Sequence, residues 1–315
     1  MSIVSETDEP AVNRHDAVMH LRSSMIAVKV VFTWMGVSRT LSKEQKNAAA
    51  TVFDATGESI SASKKLLDNK HPSWATITKV KGAVTKYWKD NSLPFPEPGL
   101  RLIGRDRVDA FNERMDEFKA ELSRAVQNLE LHFGEMRDAA RQRLGTLFDQ
   151  QDYPDTLIGA FAIDHSFPPT EVPEYLRELS PAIYQRECER VQTRFSNAVE
   201  MAEQMFFEQL SELVEHLAER LSTDESGKQK TFRDSTLTNL TDFFSRFNEL
   251  SIGSNHELEE LVSRTQSIVR GIEPQRLRDS GSLRQQIATQ MATVQSSLDG
   301  LMVDRPRRNI LRKAR

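Results

Sequence analysis

Cysteine is almost absent from this sequence. The one thiol, Cys188, rules out an intramolecular disulfide and a zinc site built on cysteine pairs, and it predicts a chain at home in the reducing cytoplasm. Its neighbours, Arg186-Glu187-Cys188-Glu189-Arg190, offer charged side chains suited to a helix surface and no base to activate a thiolate. Cys188 therefore reads as a small half-buried residue. Glycine and proline are sparse, 13 and 12 in 315 residues, which excludes collagen-like and low-complexity chains. No apolar run approaches the roughly 20 residues that cross a bilayer; the longest, Met25 to Val37, is interrupted by Lys29. The opening MSIVSETDEP has neither the basic nor the apolar region of a secretory signal. Neither GxxxxGK[ST] nor GxGxxG occurs, which argues against nucleotide hydrolysis by this chain alone.

The seven histidines are scattered, and no two of them show the i, i+4 spacing with a companion acid that a helical metal site needs, so neither a metal site nor a cofactor is expected. His132 and His216 fall beside the stripes of two long helices and read as boundary residues satisfied by hydrogen bonds. Asp164 and His165 form an adjacent acid and base, but with no serine or cysteine motif to activate they read as a polar loop. Nothing here builds a catalytic site, and the chain is expected not to be an enzyme.

What is present is helical periodicity and segregated charge. Hydrophobic residues make up 38% of the chain and charged residues 28%, the balance of a globular, helix-rich protein. Residues 1–14 read as a disordered leader. Residues 15–104 form a mixed region, in which Ile26, Val28, Val30, Phe32 and Trp34 alternate as a strand should. Ser42-Lys-Glu-Gln45 is a capping box opening a helix with apolar positions Ala49, Val52 and Phe53 and an end near Gly57. Another helix, with Trp74, Ile77, Val84 and Trp88, follows Pro72 and is stopped by the prolines of Leu93–Gly99.

The strongest pattern runs from Val108 through Phe111, Met115, Phe118, Leu122 and onward to Leu147 at intervals of three and four. Asp152-Tyr-Pro154 ends it. A proline-rich connector, 154–181, contains Phe161, Ile163 and His165 in strand-like alternation, able to pair with Ile26–Trp34 or with Leu100–Ile103. Ser180-Pro181 then caps a second long helix that carries Phe195, Ala202, Phe206, Leu213 and Leu221. Two helices of near-equal length predict a long antiparallel hairpin over 105–222 with coiled-coil-like seams. After a polar loop, residues 223–303 should hold three shorter helices, 235–250, 255–270 and 282–302, the last opened by a capping box at Ser282 and Gln285. The expected fold is mainly α, with a small β-sheet near the N-terminal region.

The formal charge of −4 conceals a net of +5 over 29–97 and of −8 over 171–225. The tail, 304–315, carries Arg305, Arg307, Arg308, Arg312, Lys313 and Arg315 without an acid, which makes it a candidate site for nucleic acid or an acidic protein partner. Phe232, Arg233 and Asp234 form a candidate docking point at a helix start, against the plainer reading of an aromatic staple before a cap. The opposed charges of tail and acidic helix also predict a homodimer.

Asn91-Ser-Leu-Pro-Phe95, Gly99-Leu-Arg-Leu102, Arg143-Leu-Gly-Thr-Leu-Phe148, Asp152-Tyr-Pro154, Glu215-His-Leu217 and Phe232-Arg-Asp-Ser235 follow one another in an order that resembles the family catalogued as domain of unknown function 3150, which occurs in bacteria, plasmids and phages. The resemblance covers about residues 25–270 and transfers no catalytic residue. It implies a helical adaptor accompanying a MoxR-like AAA+ ATPase and a von Willebrand factor A-type protein. A non-enzymatic scaffold is thus the expected function, with nucleic-acid binding through the tail and the positive N-terminal region as the alternative.

Overall fold

The computed structural model describes residues 9–223 and 229–303, and the candidate residues of the basic tail lie outside that range. In chain order the elements are α1 (Glu9–Ser24), β1 (Met25–Trp34), β2 (Ser38–Thr40), α2 (Lys43–Thr51), β3 (Ser63–Lys65), α3 (Pro72–Asp90), β4 (Leu93–Pro94) and β5 (Leu100–Gly104). Then come α4 (Val108–Leu144), β6 (Phe161–Ser166), α5 (Tyr175–Leu179), α6 (Pro181–Leu221), α7 (Asp234–Leu250), α8 (His256–Val269), α9 (Pro274–Asp279) and α10 (Gly281–Val303). The protein is mainly α with a small four-stranded sheet, order β4-β5-β1-β6, as its sequence predicts. Among the described residues no helix is long and apolar enough to cross a membrane.

The chain divides into two compact units. One holds the described residues up to Ala27, Asn91–Arg105 and those from Pro169 onward; the other holds Val28–Asp90 and Asp106–Pro168. This corrects the expected hairpin and the contiguous domain boundaries. The two long helices belong to different units, and each buries its stripe within its own, because periodicity specifies that a face is buried but not what covers it.

In the second unit α4 is the spine. Phe111, Met115, Phe118, Leu122, Val126, Leu129, Phe133, Met136 and Ala140 line one face over 37 residues, about 55 Å at the helical rise. The helix packs on α3, whose Trp74, Ile77, Val80 and Val84 are buried, and on β6. Tyr87 of α3 stacks on Phe111 with ring centroids 5.6 Å apart. β6 pairs antiparallel with β1, one of the two partners expected for it, in a register that sets Trp34 opposite Phe161 and Phe32 opposite Ile163. α4 ends at Leu144, short of the expected Leu147, where Gly145 turns to φ +52.

The Asp152-Tyr-Pro154 segment has a structural task in this unit. Asp152, its side chain buried, lies 2.5 Å from the Lys64 ammonium and 2.8 Å from the Arg39 guanidinium, which come from the β3 and β2 strands of a two-stranded ladder. Lys64 also donates to the Leu147 carbonyl at 2.8 Å, and the Tyr153 hydroxyl donates to the Leu66 carbonyl at 3.0 Å. The capping box at Ser42 and Gln45 forms as its sequence predicts, but α2 stops at Thr51 and leaves Val52 and Phe53 78% and 76% exposed. Gly57 does not end the helix. A Cβ there would come within 2.0 Å of the Asn47 side chain, so it marks a close approach of the following turn.

In the first unit α6, 41 residues long, is wrapped by α1, α7, α8 and α10. Its buried residues come as neighbours, Ala198-Val199, Ala202-Glu203, Phe206-Phe207 and Leu210-Ser211, so the face is wide and needs several partners. Val214, not Leu213, continues it inward. Ser180 caps α6 through the Ile183 amide with Pro181 at the first helical position, and Asn255 caps α8 through the Leu258 amide. Three expectations need correction here. The leader is helical from Glu9, because Ala17, Val18 and Leu21 of α1 are buried in this core; α9 precedes α10; and α10 is opened by Ser280, whose hydroxyl accepts from the Leu283 amide, rather than by a box at Ser282.

Candidate functional site

The end of α6, the strap after it and the start of α7 enclose a polar cleft of about 360 Å³ in the first unit. His216 and Arg220, one helical turn apart, form one wall. Thr231 and Arg233 of the strap and Ser235 and Thr236 of α7 form the other.

Three anchors hold the strap against the helices. Arg284 of α10, only 4% exposed, donates to the carbonyls of Arg220 at 2.7 Å, Lys230 at 3.0 Å and Leu221 at 3.4 Å. It thereby places a cation on the last carbonyls of α6, the negative end of that helix. Burial away from any carboxylate lowers its pKa from the ordinary guanidinium value. Arg278 donates to the Phe232 carbonyl at 3.3 Å and ion-pairs with Asp234. The Lys230 ammonium meets Glu219 at 3.3 Å, and this hydrogen bond first, then the charges of Lys230, Arg220 and His216, hold the Glu219 carboxyl below its usual range.

Glu219 and Asp234 are therefore engaged, and the described lining of the cleft is rich in donors. Among the described residues neither Arg220 nor Arg233 has an ion pair through its guanidinium, and the His216 ring, expected to be satisfied by a hydrogen bond, has no such partner. Thr236 is 4% exposed and its hydroxyl has no hydrogen-bond partner among them either. At the head of α7 the cap position is Arg233, which has no oxygen to offer, and no side chain caps the first turn. His216, Arg220, Arg233, Ser235 and Thr236 line one volume at the uncapped start of α7, and that set is suited to hold an anion.

The structure splits the docking trio. Phe232 is buried in the core, Asp234 is committed to Arg278, and Arg233 alone faces the cleft. What sequence reading missed is the pairing of Arg233 with His216 and Arg220. His216 of Glu215-His-Leu217 and Arg233 and Ser235 of Phe232-Arg-Asp-Ser235 line this one cleft.

The other candidates resolve as structure. In the second unit His165 Nε2 meets the Asn112 side-chain oxygen at 2.7 Å between Phe111 and Phe167, while Asp164 accepts from the His165 backbone amide at 2.9 Å. Burial first, then the charge of Lys119, lowers the His165 pKa. His71 and His132 are brought together, ring centroids 5.3 Å apart, with the Ser73 amide donating to His71 Nδ1 at 3.3 Å. Among the described residues no group of three or more His, Cys, Asp or Glu is placed to hold a metal. Cys188 neighbours Tyr184, whose phenol is raised chiefly by its hydrogen bond to the thiol. In comparison with known proteins, no family profile, no curated protein and no solved structure matches this chain.

Proposed function

We propose that this protein is a non-enzymatic helical scaffold or adaptor, with an AAA+ ATPase and a von Willebrand factor A-type protein as the partners that the family resemblance points to. The observation that carries the reading is where apolar surface is spent. Both long helices bury their stripes inside their own units, yet Tyr175 and Leu179, one turn apart on α5, and Ile183 in the first turn of α6 stay exposed, Leu179 by 76%. Large apolar side chains grouped on an otherwise charged helical surface are a usual mark of a protein-binding face. The acidic charge of 171–225 around them favours a partner with a basic rim.

The test is co-expression of the full chain with the MoxR-like ATPase and the von Willebrand A-type protein of its host, followed by size-exclusion chromatography. A shared peak is expected, lost or shifted to the free proteins in the Leu179→Asp, Ile183→Asp double variant. Separate elution of all three wild-type proteins, with and without ATP, would overturn the reading.

A further inference from the structure

We propose that the cleft between the end of α6 and the start of α7 is a binding site for a phosphate group. The inference goes beyond the adaptor reading and is independent of it, since it concerns a different surface of the first unit and a small ligand.

The charge balance comes first. Arg220 and Arg233 face one cavity without an ion pair among the described residues, with His216 beside them. Like charges held together by a fold repel one another, and a bound anion relieves that repulsion. Of the described acids beside the cleft, Glu219 is engaged with Lys230 and Asp234 with Arg278.

The donor geometry comes second. Guanidinium forks match the paired oxygens of a tetrahedral oxyanion, and an uncapped helix start presents amides and the positive end of the dipole to the same volume. The independent observation is Thr236. The residue is 4% exposed and lines the cleft, and its hydroxyl, which has no partner among the described residues, opens onto that cleft. An oxygen of the ligand would accept from it. Among the described residues the lining is rich in donors, two of them guanidiniums, and favours a ligand with several acceptors and negative charge, which a phosphate is and a sugar or an amine is not. The volume, about 360 Å³, exceeds that of a bare phosphate, so the phosphate of a small monoester fits as well as the free ion.

Inorganic phosphate and glycerol phosphate, titrated into the full-length chain by calorimetry in a phosphate-free buffer, test the proposal, with acetate at matched ionic strength as control. Saturable one-site binding of either phosphate is expected, with Arg220→Gln and Arg233→Gln each weakening it about tenfold and Thr236→Val weakening it several-fold. Arg177→Gln, on α5, should change nothing. Tighter binding of the monoester identifies an esterified ligand, and tighter binding of the free ion identifies phosphate itself. Should a variant fold poorly, the thermal midpoint of the wild-type chain still decides, rising with phosphate and not with acetate. No saturable binding, equal binding of acetate, or binding unchanged in the Arg220→Gln, Arg233→Gln double variant would overturn it.

Discussion

α4 and α6 are alike in length and in the three-four spacing of their apolar residues, yet they are buried in different ways. α4 carries a row doubled only at Ala125-Val126, and α3 with β6 covers it. α6 carries doubled positions, Ala198-Val199 and Phe206-Phe207 among them, and four other helices wrap it. The width of a stripe therefore says more about the number of neighbours than its length does. A narrow row is completed by one or two elements, whereas a doubled row makes its helix the centre of a bundle.

The largest test of this contrast removes one aromatic from each spine. Phe206 packs edge-on against Phe247 at 5.0 Å and also against Phe243, and Phe118 lies against Tyr87 at 5.7 Å. Phe206→Ala and Phe118→Ala should each cost about 3–5 kcal/mol. Hydrogen exchange should show the first loosening α7, α8 and α10 and the second loosening α3 and β6. Equal loosening of all these elements by either change would erase the distinction between the two units.

A smaller effect is expected at Arg284, which ties α10 to the end of α6. Arg284→Met keeps the length of the side chain but leaves the carbonyls of Arg220, Leu221 and Lys230 without their donor, for a loss of about 1–3 kcal/mol by urea unfolding. The smallest effect is one of pH in the other unit. Because burial holds the folded His165 below its unfolded value, the unfolded chain takes up the proton first. Its contribution is fully present above a pH of about 6.5, the unfolded value, and is lost as pH falls from there through the folded pKa. The urea midpoint should therefore drop less between pH 8 and pH 5.5 in His165→Gln than in the wild type, and identical drops would remove His165 as a cause.

The sequence carried the local structure further than the assembly. The Ser42 box, the Ser180-Pro181 start and the strand character of β6 were legible, since each depends on neighbours in the chain or on a period of two, while β1 was one of two partners the sequence allowed for β6. α1 was not, because its few buried residues sit in an otherwise polar stretch and a neighbouring helix supplies the reason for its folding. Val52 and Phe53 misled because apolar residues can end on the surface once a helix stops early. The cleft was legible only in fragments. Arg233 stood out beside a cap and His216 beside a stripe, but nothing in either local pattern says that the end of one helix and the start of the next close on one volume.

The chain passes between its two units four times, and this has a consequence on the ribosome. α1 is buried against α6, so Leu21 waits for Phe195 and its neighbours, about 170 residues later, before it has a core to enter. At the usual pace of synthesis that is roughly 10–30 seconds of exposure. The largely polar make-up of Glu9–Ser24 is what lets so early a segment remain in water that long without finding the wrong companion.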